Sequence, residues 1–256
     1  MTAADYRERL TAVGITDPDR ILTLAARTVR QIRGEEPGTS ALEDRWYRSL
    51  TAGAPDYGIY DDEDYLAEAW ACWQVYSRHY LYCLRRPKGC PPDGVAAALQ
   101  PVTRLADLGC GIGYSTAALR DLFPGADVYG TQLPGPQADI ARTHGVTVHT
   151  DVQPDTYVVF ASEYFEHFQE PITHLQHVLT AARPRALIIA NTFTSPSAGH
   201  FPEYVVTEDD TLYGGHRTVP GRTASRLFTE ELHRHGFREM PGVNIWNHRP
   251  RIWVQP

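Results

Sequence analysis

The 256-residue sequence has no apolar run approaching the roughly 20 residues needed to cross a bilayer, which sets aside a helical membrane anchor. Its opening, MTAADYRERL, lacks the basic stretch and apolar core of a secretory signal, so a cytoplasmic address is expected. Cysteine is scarce. Cys72, Cys83, Cys90 and Cys110 form no C-x-x-C pair and none of the paired spacing of a zinc site, so reduced thiols are expected rather than a disulfide framework. Positive charge is in deficit: 24 Lys and Arg against 31 Asp and Glu leave a formal net charge of −7. Nucleic-acid binding relies on Lys and Arg displacing counterions, so no nucleic-acid partner is expected. Neither an internal repeat nor a low-complexity tract is found.

What is present reads as one folded α/β domain with an accessory segment. The first 90 residues read as helical, with apolar spacings near three and four over Asp19–Arg33 and Asp64–Arg85. Thr51–Asp61 between them, rich in Gly, Pro and Tyr, reads as a loop. The Pro- and Gly-dense stretch RPKGCPPD (86–93) marks a boundary between a helical cap over 1–90 and a catalytic domain over 91–256.

Beyond it the pattern alternates. Strands are expected at Arg104–Leu108, Asp127–Thr131, Val146–Thr150, Thr156–Ala161 and Ala186–Asn191, and helices over Ser115–Leu122, Pro136–Thr143 and Ile172–Ala182. Such alternation predicts parallel pairing in a doubly wound, Rossmann-like sheet of seven strands. Thr192–Pro220 reads as irregular. A helix near Thr229–His235 and an antiparallel C-terminal hairpin of Val243–Trp246 with Arg251–Val254 complete the expectation.

The turn after the first strand carries the chemistry. Asp107-Leu108-Gly109-Cys110-Gly111-Ile112-Gly113 has three glycines in G-x-G-x-G spacing, which lets backbone pass close to a ligand and leaves amide donors facing it. A bare G-x-G also fits a tight turn with no ligand. The dinucleotide fingerprint needs G-x-G-x-x-G, and Tyr114 stands where its last glycine would be, which counts against a nicotinamide cofactor.

With Asp107 ahead of the glycines, the segment resembles the first motif of the class I S-adenosylmethionine-dependent methyltransferases. The resemblance runs over residues 102–256: DTYVVFASEYFEHF (155–168) looks like the family's fourth strand and following loop, and LFTEELHRHGF (227–237) like its late helix and Gly-Phe turn. It implies S-adenosylmethionine as cofactor, with Asp107 ordering the loop or reaching the methionine ammonium, and with Gly109, Cys110, Gly111 and Gly113 admitting the amino-acid portion. One position departs. The family ends its second strand with a carboxylate for the ribose hydroxyls, and Gln132 stands there, at a cost of about 1–2 kcal/mol in a lost charge-assisted bond. Asp151 is a candidate adenine contact or a turn residue.

Ligands of open α/β sheets lie beyond the carboxyl ends of the strands, so Ser162–His167 enters the site by topology. Glu163, Glu166 and His167 put two carboxylates and an imidazole within six residues, and carboxylates in a partly dry pocket select a cation. Ser162-Glu163 also looks like the start of the double-Glu loop of arginine methyltransferases. The second Glu is too near in this sequence and that family's C-terminal barrel is missing, which points to free arginine or another small guanidine or amine. Glu166 solvated and His167 supporting the loop is the plainer alternative.

Asn191 at the end of the fifth strand and His200 in the loop after it are further candidates. Of the N-terminal aromatics, Tyr57 and Tyr60, with Tyr164, are candidate substrate contacts; the rest are expected to pack helices and to offer a homodimer surface. A metal held by Glu163, His167, His200, His216 or His248 would make a metal-assisted O- or C-methyltransferase. None of these candidate His is in a paired spacing with another on one helix, so no metal is expected. The sequence thus predicts methylation of a small molecule, foremost N-methylation of a cationic guanidine or amine. Natural-product O- or C-methylation and cofactor binding without turnover are the alternatives.

Overall fold

The computed structural model describes residues 2–85, 99, 101–208, 215–240 and 251–256. Among the described residues five α-helices precede the sheet: α1 (Ala3–Ala12), α2 (Pro18–Ile32), α3 (Ala41–Thr51), α4 (Tyr65–Cys72) and α5 (Arg78–Arg85). Local chemistry sets their starts. Asp17 accepts the Arg20 amide at 2.9 Å ahead of Pro18, and Ser40 accepts the Glu43 amide at 3.1 Å. The span expected as one helix over Asp64–Arg85 is interrupted by a π turn at Trp73–Ser77 between α4 and α5.

The sheet begins with β1 (Arg104–Leu108), then α6 (Tyr114–Leu122), β2 (Asp127–Thr131), α7 (Pro136–Thr143), β3 (Val148–His149), β4 (Val158–Ser162), α8 (Pro171–Ala182) and β5 (Ala186–Ala190). Next come β6 (Glu203–Glu208), β7 (Gly215–Pro220), α9 (Gly221–Arg234), β8 (Arg238–Glu239) and β9 (Arg251–Val254). Seven strands stand in the order β3-β2-β1-β4-β5-β9-β8, parallel from β3 to β5, with β9 antiparallel to both its neighbours. The order reverses between β1 and β4, which opens the crevice where such sheets hold ligands.

The pleat divides the core. Leu105, Val128, Val158, Phe160 and Ile188 face one side, where Tyr6, Leu10, Ile21, Trp70 and Tyr114 cover them. Ala106, Tyr129, Val159, Leu187 and Ile189 face the other, under Phe165, Leu175, Tyr204 and Phe228. Cap residues therefore share a core with the sheet: Tyr6 stacks on Trp70 at 4.4 Å, and Tyr114 meets both rings edge-on.

Further expectations change, and the strand expected at Val146–Thr150 is confined to Val148–His149. Thr192–Pro220 contains the antiparallel ribbon β6–β7, which runs from Glu203 opposite Pro220 to Glu208 opposite Gly215. The helix expected from Thr229 begins at Gly221, because a glycine there lets backbone approach Phe193; a Cβ would fall 1.9 Å from its carbonyl oxygen. In the final hairpin β9 pairs with Arg238–Glu239, while Val243–Trp246 lies outside the described residues, as do the boundary segment at 86–93, Cys90 and His248.

Candidate functional site

A cleft of about 620 Å³ lies between the glycine turn, the ends of β4 and β5, and the cap. The turn forms one wall. Gly109, Gly111 and Gly113 all have positive φ (60°, 51° and 81°), a conformation that excludes most side chains. Two of the three also admit protein neighbours: a Cβ on Gly109 would stand 2.5 Å from the Tyr164 ring, and one on Gly113 2.7 Å from the Ala141 Cα. A Cβ on Gly111 would meet nothing nearer than Gln137 Oε1, at 3.4 Å. The amides of Gly109, Cys110 and Gly113 bond to Thr131 Oγ1, Thr131 O and Cys110 O. Cys110 points its thiol down onto Gly130 of β2, leaving its backbone toward the cleft.

Asp107 orders this loop. Its Oδ2 accepts the hydroxyls of Ser115 and Thr116, both at 2.6 Å. Burial outweighs those bonds and pushes the carboxyl up to about 6.

Glu163 follows the last residue of β4 with a φ of 50°, a strained value for a side chain of this size. It holds the cap and sheet together: Oε1 accepts the Tyr80 hydroxyl at 2.8 Å, and Oε2 lies 3.4 Å from that of Thr192. Nearby, the hydroxyls of Ser77 and Ser162 meet at 3.3 Å.

Glu166 is completely buried in a short 3-10 turn. Its Oε1 accepts the Thr192 amide at 2.8 Å, and the carboxyl shares a side-chain hydrogen bond with Glu163. Burial first, then the charge of Glu163, holds this carboxyl well above the usual range.

His200, 4% exposed, gives its Nδ1 proton to the Ser195 carbonyl at 2.8 Å, which leaves Nε2 as its acceptor. Burial lowers it to about 4. His167 stands edge-on to it at 4.7 Å, bonds the Tyr60 hydroxyl through Nδ1 at 3.0 Å, and is kept neutral by burial and by His200.

The structure thus brings Glu163, Glu166, His167 and His200 together with Asp107 and the glycines. An oxygen of Glu163, an oxygen of Glu166 and a ring nitrogen of His200 lie within 4.8 Å of one another. Other candidates stand apart from the cleft lining. Asp151 bonds His177 Nε2 with both oxygens, at 3.1 and 2.9 Å. Tyr164 lies on Gly109 and bonds His174 at 2.9 Å. Tyr57 is half exposed, Tyr60 is committed to His167, and Asn191 is half-buried with both amide atoms unpartnered. Gln132 donates its backbone amide to His149 and precedes Leu133, which is 67% exposed. His216 sits on β7, its Nδ1 3.3 Å from the Thr207 hydroxyl.

From the cap, sequence reasoning singled out Tyr57 and Tyr60, and other cap residues form the wall. Glu43, Tyr65, Glu68, Trp73, Tyr76, Ser77 and Tyr80 line the cleft. The π turn is the structural reason for part of this, since the extra residue per turn re-aims the helix face across 73–80, and π turns are frequent at functional sites. Among the described lining residues there is no Lys or Arg, while Glu43, Glu68, Asp107 and Glu163 are all present.

No protein-family model matches the chain, and no curated protein matches it. Solved structures do match. The mitomycin 7-O-methyltransferase MmcR is 16% identical, with a TM-score of 0.53 over 96% of this chain and 74% of its own. The sugar N-methyltransferase KedS8 from Streptoalloteichus sp ATCC 53650 is 15% identical, with a TM-score of 0.48 over 73% of this chain and 90% of its own. The strand order with an antiparallel β9, the glycine turn after β1 and the likeness to MmcR identify the fold as the Rossmann-like fold of the class I S-adenosylmethionine-dependent methyltransferases.

Proposed function

We propose that the chain is a methyltransferase that moves the methyl group of S-adenosylmethionine to a basic nitrogen of a small acceptor, a guanidine or amine such as free arginine. The observation that carries the acceptor class is the acidic cleft: four carboxyl side chains and, among the described lining residues, no Lys or Arg to oppose a cation. The aromatic rings of Tyr65, Trp73, Tyr76 and Tyr80 along the cap add faces that attract positive charge.

The residues present fit the cofactor. Gly111 offers backbone without a side chain in a cleft of the size that holds small ligands, and the apolar face of Leu133 is exposed just past β2. Gly111, Asp107 and Gln137 would hold the amino-acid end; Gln132, Leu133 and Asp151, past the ends of β2 and β3 and outside the cleft lining, would face the nucleoside side. When bound, the cofactor supplies an electrophilic methyl on a positively charged sulfur. Glu163 attracts and orients the acceptor, and the buried neutral ring of His200 presents Nε2 as a proton acceptor close to it. The cap over the cleft keeps water away from the reacting groups.

Incubation with labelled S-adenosylmethionine and a panel of amines, guanidines, phenols and keto acids tests the reading. Label transfer to amines or guanidines is expected, and turnover confined to phenols or keto acids overturns the acceptor class. A cytoplasmic homodimer is part of the same reading, with the exposed Tyr57 and Tyr82 of the cap as its support, and light scattering tests the dimer.

A further inference from the structure

Trp73 lines the cleft from the π turn of the cap, and its indole Nε1–H is buried with no hydrogen-bond partner. The side chain is only 7% exposed. Leaving such a donor unpaired is costly, and a ligand that brings an acceptor to it removes the cost.

The position of the ring indicates which kind of group this is. Trp73 stacks on Tyr114, with centroids 5.6 Å apart and planes 23° from parallel. Tyr114 is the first residue of α6, directly after the glycine turn, and Gly113 at the N-cap gives that helix no side-chain cap. First-turn amides lack partners within their own helix and carry the positive end of its dipole, so an anion is favoured beside them. Ser115 and Thr116 give their hydroxyls to Asp107, which leaves this first turn its backbone amides.

The cleft has to hold an anion in acidic surroundings. S-Adenosylmethionine ends in an ammonium and a carboxylate, whereas the described lining residues include four carboxyl side chains and no Lys or Arg. The carboxylate therefore needs neutral donors. Resting on the methyl-transfer reading above, we infer that the Trp73 indole N–H, together with the first-turn amides of α6, holds the carboxylate of the cofactor's amino-acid end, leaving the ammonium to the Asp107 side. A neutral donor suits this place. It binds the anion without adding a positive charge that would repel the cationic sulfur or a basic acceptor in the same cleft. The π turn has a matching role, since it carries a cap residue onto the start of α6.

The test uses the full chain and two probes that differ only in the carboxylate: S-adenosylhomocysteine and its decarboxylated analogue, which ends in a primary amine. In calorimetry the parent should prefer S-adenosylhomocysteine by at least about tenfold. Trp73→Phe keeps an aromatic ring against Tyr114 and lacks the donor. It should weaken S-adenosylhomocysteine about tenfold and leave the analogue within about twofold, so that the preference falls below about threefold. Equal weakening of both probes would show a packing role and overturn the proposal, as would a variant that keeps the preference or a parent that has none. A second readout needs no variant: at saturation with each probe, the Trp73 indole signal in a proton–nitrogen correlation spectrum of the parent should move downfield with S-adenosylhomocysteine and not with the analogue. A signal that answers both alike, or neither, would overturn it too. Failure of the parent to bind S-adenosylhomocysteine at all would instead remove the reading on which this one rests.

Discussion

Asp107 offers a direct test of how the glycine turn trades stability for a charge facing the cleft. Its carboxyl rises from 3.8 to about 6 in the folded protein because it is 2% exposed, even though Ser115 and Thr116 both donate to it. A group whose folded value is raised binds its proton more tightly in the native state. Its penalty is therefore absent well below pH 3.8, grows as pH rises from 3.8 to 6, and is constant above. The span corresponds to about 3 kcal/mol at neutral pH.

Asp107→Asn removes the charge and keeps an oxygen for the two hydroxyls, while its amide hydrogens need partners at a cost of about 1–2 kcal/mol. The variant should therefore be more stable than the parent by about 1–2 kcal/mol at pH 8, and less stable at pH 4. Urea unfolding of both proteins at the two pH values gives the difference of differences, in which every other titrating group cancels. A change of about 2.5 kcal/mol in favour of the variant between pH 4 and pH 8 is expected, since part of the penalty is already present at pH 4. A stability gap independent of pH would refute the argument that burial, rather than hydrogen bonding, governs this carboxyl.

Further expectations follow from the same geometry. Gly111→Val forces a β-branched side chain into a φ of 51°, and should abolish S-adenosylhomocysteine uptake in calorimetry; unaltered uptake would show that the turn holds no cofactor. Glu163→Gln should lower kcat/KM for the preferred amine by about 100-fold and leave S-adenosylhomocysteine affinity within about threefold, since it weakens the acceptor's charged partner only. Tyr80→Phe, which removes the 2.8 Å bond to Glu163, should cost about tenfold in kcat/KM. His200 is lowered from 6.5 to about 4, so it favours folding above pH 6.5 and loses that contribution as pH falls toward 4. His200→Asn should accordingly lessen acid destabilisation between pH 6.5 and 4 by up to about 3 kcal/mol in urea titrations.

The sheet was legible because its strands are buried on both faces and sit between turn signals. Arg104–Leu108, Asp127–Thr131 and Arg251–Val254 occur where the pattern puts them, and Pro136 and Gly145 bracket a helix that ends at Thr143. The errors have local causes. Gly221 and Thr223 are weak helix formers, so α9 looks shorter than it is, although its first turn is fixed by the close approach to Phe193. The strand at Val146–Thr150 shrinks to Val148–His149 because it is the sheet's edge and pairs with β2 through two residues.

The candidate site divides along the same physical line. Glu163, Glu166 and His167 could be read from the sequence because they lie on one loop whose position the topology dictates. Glu43, Glu68, Ser77 and Tyr80 reach the cleft through tertiary packing of the cap, which no local period encodes. Carboxylates close in sequence also look equivalent until their surroundings are known. Tyr80 and Thr192 give Glu163 polar neighbours at the cleft edge, whereas Glu166, three residues on, lies under Thr192 with no exposed surface, and burial holds its carboxyl well above the usual range. The cleft's attraction for a cation therefore rests on Glu163 at the end of β4 together with Glu43 and Glu68 on the cap and Asp107 under the glycine turn.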